Sequence, residues 1–209
     1  THYGIDKAKW FGDDFHALRR SEFDDKANGY DLVAVVRGKN AEGEPMLRTK
    51  LGIDLTTGEE AFEEKFEDIA YKVDTYPGLM KYQFCIDPET GIYGAQSIPQ
   101  VAVRYSQEDL DTLMNAWKHK DTKPEELRAS PIPLRLMTQA LLQSAYFAKQ
   151  IPDGKADAIR ADYRISTQYL KEALTNEIIR QRKVPRATVN TMVEMMADIT
   201  HSDPTQIKS

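Results

Sequence analysis

The sequence predicts an α/β (α+β) core with a small mixed sheet, followed by an all-helical C-terminal half. Three observations carry this. Residues 30–36 form a β-branched apolar run and residues 46–55 alternate, both strand signatures. Between and after them, apolar residues recur at helical spacing. Beyond residues 105–107 the strand signals vanish. The chain of 209 residues, 41% of them hydrophobic, therefore divides into an α/β core over 1–105 and a helical region over 106–209.

In chain order, residues 5–23 read as a helix, with Ile5, Ala8, Trp10, Phe11, Phe15, Leu18 and Phe23 on its apolar face. Asn28-Gly29 is a turn signal before the first strand. A hairpin-like loop over 39–45 leads to the second, in which Leu47, Leu51, Ile53 and Leu55 share one face by their odd positions. Thr56 with Glu59, or Thr57 with Glu60, fits a capping box that opens a helix to about residue 73. Its inward residues are Ala61, Phe62, Phe66, Ile69, Ala70 and Val73, and Pro77-Gly78 stops it. Residues 79–86 and 101–105 are the third and fourth strands, separated by a turn at 87–91. Helices follow over 107–118, 134–150, 155–183 and 187–199, with a Pro-punctuated connector before the second of them. In the helix over 134–150 the inner stripe is Leu134, Met137, Leu141, Ala145 and Ala148.

Composition narrows the function classes. No apolar run approaches the ~20 residues of a membrane span. A single cysteine, Cys85, excludes an internal disulfide framework and a cysteine-based zinc cluster, and points to a reducing, cytoplasmic setting. Mid-strand between Phe84 and Ile86, it reads as a small core residue. His2, His16, His119 and His201 make no metal-binding i,i+4 pair. The sequence holds no G-x-S-x-G elbow, no P-loop and no dinucleotide-binding glycine pattern. Serine, cysteine and zinc hydrolase chemistry all drop out.

Carboxylates remain. Asp31 opens the first strand and Asp54 lies near the end of the second, so on neighbouring strands both acids converge at one end of the sheet. Carboxylates held together repel, and a divalent cation between them offsets that cost. Asp54 stands between Ile53 and Leu55, where a buried acid without a partner is expensive. Mg²⁺ or Mn²⁺ prefers such oxygen ligands and keeps water positions open, as phosphodiester hydrolysis needs. Lys65, 11 residues after Asp54, is a candidate to orient the attacking water, and Glu22 a candidate third acid. Each residue also has a structural role to offer. Asp31 can close the Asn28-Gly29 turn and Asp54 can tie down the turn at Thr56-Thr57. Glu22 can be a solvated charge, and Lys65 can pair with Glu60 or Glu64.

The stretch from Gly29 through Asp31 to Val35, followed by Leu51-Gly52-Ile53-Asp54-Leu55-Thr56-Thr57, resembles the PD-(D/E)XK superfamily of restriction-like nucleases over roughly residues 10–86. The resemblance implies a nuclease that cleaves nucleic-acid phosphodiesters with Mg²⁺ or Mn²⁺. It assigns Asp31 as the metal-binding Asp, Asp54 as the acid of the (D/E)XK strand and Glu22 as an auxiliary first-helix acid. Thr56 stands where the motif has Lys, so the resemblance requires Lys65 to serve from the following helix. The missing in-strand Lys equally suits a non-catalytic binding or scaffold module with a degenerate nuclease-like fold. A toxin-type N-glycosidase is a weaker reading, because the helix over 134–150 carries Gln143 and Ser144 rather than an acid and arginine pair.

Charge is uneven. Residues 1–105 carry 13 Lys or Arg against 19 Asp or Glu, whereas 149–186 carry 9 against 5. Arg160, Arg164 and Lys171 share one helix edge, and Arg180 and Arg182 follow, a natural grip for backbone phosphates of nucleic acid. Asp157, Asp162, Glu172 and Glu177 on the same helix offer the other reading, an ordinary amphipathic surface. Met192, Met195 and Met196 suit a core, a protein partner or a homo-oligomer contact through the C-terminal helices.

Overall fold

The structure, a computed structural model, describes residues 7, 9–18, 31–77, 82–87, 92–118, 122–182 and 186–199. A four-stranded mixed sheet is built from β1 (Phe15–Leu18), β2 (Leu32–Lys39), β3 (Pro45–Thr56) and β6 (Gln100–Arg104), in that spatial order. The first three pair antiparallel, and β6 joins β3 in parallel. A parallel neighbour requires a long crossover. Here it contains helix α1 (Glu59–Thr75) and a separate two-stranded hairpin of β4 (Tyr82–Asp87) and β5 (Ile92–Ser97). Helices α2 (Gln107–Lys118), α3 (Pro124–Ala129), α4 (Ile132–Gln150), α5 (Asp157–Arg182) and α6 (Arg186–Ile199) complete the chain. The expected α+β core and helical second half are both present. Among the described residues, no helix is long and apolar enough to cross a membrane.

β2 is buried from Leu32 to Val36, so both faces of the sheet are covered there. Leu32, Ala34, Val36, Leu51 and Ile53 join the main core, while Val33 and Val35 pack with Leu18 and Ile98 in a second cluster. The pairing shifts between Val36 and Arg37, which leaves Arg48 as an extra residue in β3. Leu47 therefore packs in the second cluster and not with Leu51 and Ile53, correcting the expectation of one odd-numbered face. Beyond the bulge β3 is regular. The Thr49 hydroxyl meets Ser166 Oγ at 3.0 Å and donates to Asp162 O at 3.1 Å on α5. Asp54, of opposite parity, meets α1.

β6 is an edge strand, with one row of backbone groups facing away from β3. Helix side chains satisfy that row. The Gln100 N–H donates to Tyr163 Oη at 3.0 Å, and that hydroxyl donates to Gln100 O at 2.7 Å. Gln143 accepts from the Ala102 N–H at 2.9 Å and donates to Ala102 O, and Gln139 does the same for Arg104 at 2.7 and 3.2 Å. Gln143 is fully buried for this reason, because orphaned backbone groups in the core are costly.

Several expectations are corrected. Phe15–Leu18 is a strand and not part of a helix over 5–23; before it, Lys9 and Gly12 have φ of 54° and 94°, which no right-handed helix accommodates. Gly12 fits only as glycine, since a Cβ there would stand 2.9 Å from Ala173 Cβ of α5. The capping box at α1 is absent: Gly58 is the N-cap without a side-chain bond, and Thr56 Oγ1 instead accepts the Gly58 N–H at 3.4 Å. Ala61 is exposed, whereas Phe62, Phe66, Ile69 and Val73 are buried as the spacing predicts. β5 and α3 are elements that the sequence reading did not contain. Leu134 is only partly buried; Ile132, Leu136, Met137 and Leu141 form the tighter face of α4. The turns at 28–29 and 88–91 and the Cys85 side chain lie outside what is described.

α2 begins as its sequence implies. The Asp109 N–H donates to Ser106 Oγ at 3.1 Å and the Ser106 N–H donates to Asp109 Oδ2 at 2.9 Å, a reciprocal cap. Arg135 of α4 holds the same buried carboxylate from the other side, fixing α2 to α4.

Candidate functional site

Asp31 precedes β2, and its N–H donates to Ile53 O at 3.2 Å. Since Leu32 pairs with Ile53, the antiparallel register sets Asp31 opposite Asp54. The Asp31 side chain turns back onto β3 and accepts the Leu55 N–H at 2.6 Å. That bond uses one carboxylate oxygen on the backbone and holds the group against its neighbour. Asp54 receives a charge-assisted bond from Lys65 Nζ, one helix over. The expected alternative partners of Lys65, Glu60 and Glu64, are not the ones it takes here.

Burial pushes the Asp54 carboxyl above its ordinary value. Lys65 pulls it back by hydrogen bond and charge, and the neighbouring Asp31 side chain raises it again by charge and hydrogen bond. The Asp54 side chain is 16% exposed and that of Lys65 35%, so the cluster is sheltered yet open to solvent on the lysine side. Two carboxylates and an ammonium thus meet at the C-terminal end of β3, a constellation able to bind a cation, exchange a proton or hold a phosphate beside a positive charge.

Glu22, the expected third acid, lies outside the described residues. Among the described residues, no group of three or more His, Cys, Asp or Glu side chains is gathered to hold a metal ion. The oxygen donors of Asp31 and Asp54 nevertheless suit Mg²⁺ or Mn²⁺ chemically. Mg²⁺ is commonly held through one or two carboxylates, with water and substrate phosphate filling the remaining positions.

The basic helix is differently disposed. Arg160 is engaged by Asp153, by Asp157 at 4.0 Å and by Ile151 O at 3.5 Å. Arg180 binds Glu177 and donates to Arg128 O at 3.0 Å. Glu177 is buried and held also by Arg128 Nε at 3.3 Å; burial alone would raise it, but Arg180, Gln181 and Arg128 bring it below its ordinary value. This network docks α3 on α5. Arg164 and Arg182 are exposed and Lys171 is half-buried.

Another half-buried acid, Asp162, sits where α5 crosses β3. Burial raises Asp162, against the pull of Lys50 at 3.7 Å and of Thr49. In the sequence Asp162 looks like a solvated charge, because its pairing with Lys50 spans more than a hundred residues and leaves no local pattern.

Comparison with protein-family models, with curated proteins and with solved structures gives no match.

Proposed function

We propose that the chain is a metal-dependent nuclease or nuclease-like domain that hydrolyses nucleic-acid phosphodiesters at the Asp31–Asp54–Lys65 cluster. One observation carries the reading: two aspartates from adjacent strands stand against one another, with a lysine bonded to one of them. Burial and the neighbouring Asp31 make Asp54 costly to keep ionised, and an arrangement costly to stability is the kind retained for chemistry. From Asp31 onward, an acid just before β2, Asp54 in β3, Lys65 on α1 and a further strand follow the order in which the sequence resembles the PD-(D/E)XK superfamily, whereas a strand occupies Phe15–Leu18 of the first helix that the resemblance implies.

Asp31 and Asp54 would hold Mg²⁺ or Mn²⁺, which when bound supplies an activated water and neutralises phosphate charge. Lys65 stands ready to stabilise negative charge on phosphate oxygens and to orient a water beside Asp54. The Leu55 N–H keeps Asp31 in one rotamer, so the donor set needs little reorganisation. Arg164, Lys171 and Arg182 are candidates for contacts to strand phosphates further out, read without sequence preference.

The test is cleavage of single-stranded and duplex DNA and RNA with Mn²⁺, together with thermal melting. Wild type is expected to cleave at least one of them and to gain about 2.7 kcal/mol at a hundredfold excess of metal over its Kd. Asp54→Asn is expected to lose both effects while melting cooperatively. Lys65 already neutralises Asp54 in part, which favours a scaffold as the second reading. A wild type that neither cleaves nor responds to Mn²⁺ decides for the scaffold.

A further inference from the structure

The end of β6 sets another cation beside this cluster. Arg104 stands opposite Thr56 in the parallel pairing, where Asp54 stands opposite Ala102. Side chains alternate along strands, so positions 54, 56, 102 and 104 emerge on one face. Two residues along and one strand across put the Asp54 and Arg104 Cα atoms about 8 Å apart. Helix α1 gives an independent measure. The Arg104 guanidinium lies over the Phe62 ring, 5.9 Å from its centre, and Asp54 is bonded to Lys65. Residues three apart on a helix are surface neighbours, so both groups rest on the same patch of α1.

Arg104 is well held and weakly occupied. Gln139 grips its backbone N–H and C=O, fixing where the side chain starts. Its ion-pair partner is Glu59 at 3.5 Å, whose side chain is 70% exposed. An ion pair this exposed contributes little net stability in water, so Glu59 yields readily to a stronger acceptor. A guanidinium binds phosphate through two parallel hydrogen bonds, and stacking on Phe62 leaves its edge available for them.

We propose that Arg104 is a positioning residue for a nucleic-acid backbone, taking a phosphate adjacent to the one that meets Asp31, Asp54 and Lys65, with Glu59 as its exchangeable partner in the free protein. This rests on the nuclease reading and adds a subsite to it. Arg104 makes no contact with the reacting phosphate; it sets where the strand lies.

The experiment is fluorescence anisotropy of a labelled single-stranded DNA oligonucleotide and of its RNA counterpart, in Ca²⁺, over a series of KCl concentrations. Arg104→Gln is expected to weaken binding about tenfold and to reduce the slope of log affinity against log salt by about 0.7, the loss of one phosphate contact. Arg104→Lys is expected to keep the slope and lose part of the affinity. Glu59→Gln is expected to tighten binding about threefold when Arg104 is present and to have no such effect beside Arg104→Gln. Unchanged affinity and slope in a cooperatively melting Arg104→Gln variant overturns the proposal, as does a Glu59→Gln gain independent of Arg104. If Arg104→Gln does not melt cooperatively, Glu59→Gln alone decides, and the absence of tightening overturns the proposal. Wild type that binds neither oligonucleotide overturns this subsite, and if it also cleaves none of the single-stranded or duplex substrates the nuclease reading falls with it. Wild-type binding that neither substitution alters removes the subsite alone.

Discussion

Asp54 and Asp109 are both sheltered carboxylates bonded to a basic side chain, yet they act on stability with opposite sign. Burial would raise Asp109, but Arg135 and the Ser106 N–H and hydroxyl outweigh it, so its folded-state value is lowered. The contribution of Asp109 is then fully present above the ordinary carboxylate value of ~3.9 and is lost as pH falls through the lower folded value. Asp109→Asn is expected to cost about 2 kcal/mol at about pH 7, because Arg135 loses its charged partner, and the deficit should be smaller at about pH 3, below the ordinary carboxylate value. Urea melts at the two pH values measure it. Asp54 is raised in the folded state, first by burial and then, after Lys65 has offset part of this, by Asp31. The folded chain therefore holds that proton more tightly, and stability falls as pH rises from the ordinary carboxylate range through the raised value. Asp54→Asn removes this cost and leaves Lys65, itself partly in water, to be solvated. Its Tm is expected at or above wild type near neutrality, with the difference fading on acidification; a Tm loss like that of Asp109→Asn would mean that Asp54 is a structural acid.

β6 shows how an element is fixed by residues remote in sequence. Gln143→Ala leaves the Ala102 N–H and C=O buried without partners, each costing about 1–3 kcal/mol, so a total loss of about 3 kcal/mol is expected. Gln139→Ala exposes backbone that water can reach beside the half-buried Arg104, and about 1 kcal/mol is expected. Urea unfolding at unchanged m-value tests the ranking, and equal losses would refute the buried-ladder account. The same element separates what was legible from what was not. The apolar runs of β2, β3 and β6 and the face of α1 appear in the sequence because burial imposes period and composition locally. Gln143 stands on the buried face of α4 and looks there like an interruption; its reason lies 41 residues away. β1 is hidden in the sequence because Trp10, Phe11, Phe15 and Leu18 fit a helical stripe, whereas β2 supplies partners that a short window does not contain. The face of Leu47 departs from simple alternation because a single extra residue at Arg48 reverses every side chain before it. The acids of the candidate site were legible for a related reason: an Asp inside an apolar strand is conspicuous, and two adjacent strands leave little freedom in where their ends meet.

At the scale of the molecule, the α/β segment and the helical segment share one apolar core. The main cluster runs from Trp10 and Phe11 through Val101 and Val103 to Leu141, Tyr163, Leu174 and Val193. Phe147 of α4 stacks on Phe66 of α1 at 5.5 Å and lies 5.7 Å from Tyr163 of α5, joining helices from both segments. Gly12 lies directly against Ala173, and Arg128 of α3 reaches back to Asp13 at 3.1 Å. Without α4 and α5, the segment before residue 106 would expose the row of β6 backbone groups along with the apolar faces that those helices cover. The cost of exposing them is shared by both segments, so unfolding one exposes the other, and a single transition is expected. Fluorescence of Trp10 in a Trp117→Phe background reports the first segment, and far-ultraviolet circular dichroism reports mainly the helices. The two urea transitions are expected to coincide in midpoint and slope. Separately expressed segments are each expected to melt without cooperativity and to regain it on mixing. A Trp10 transition distinct from the helical one would show that the sheet and its carboxylate cluster fold without the helices, and that the docking residues Gln139, Gln143 and Tyr163 add little to the site.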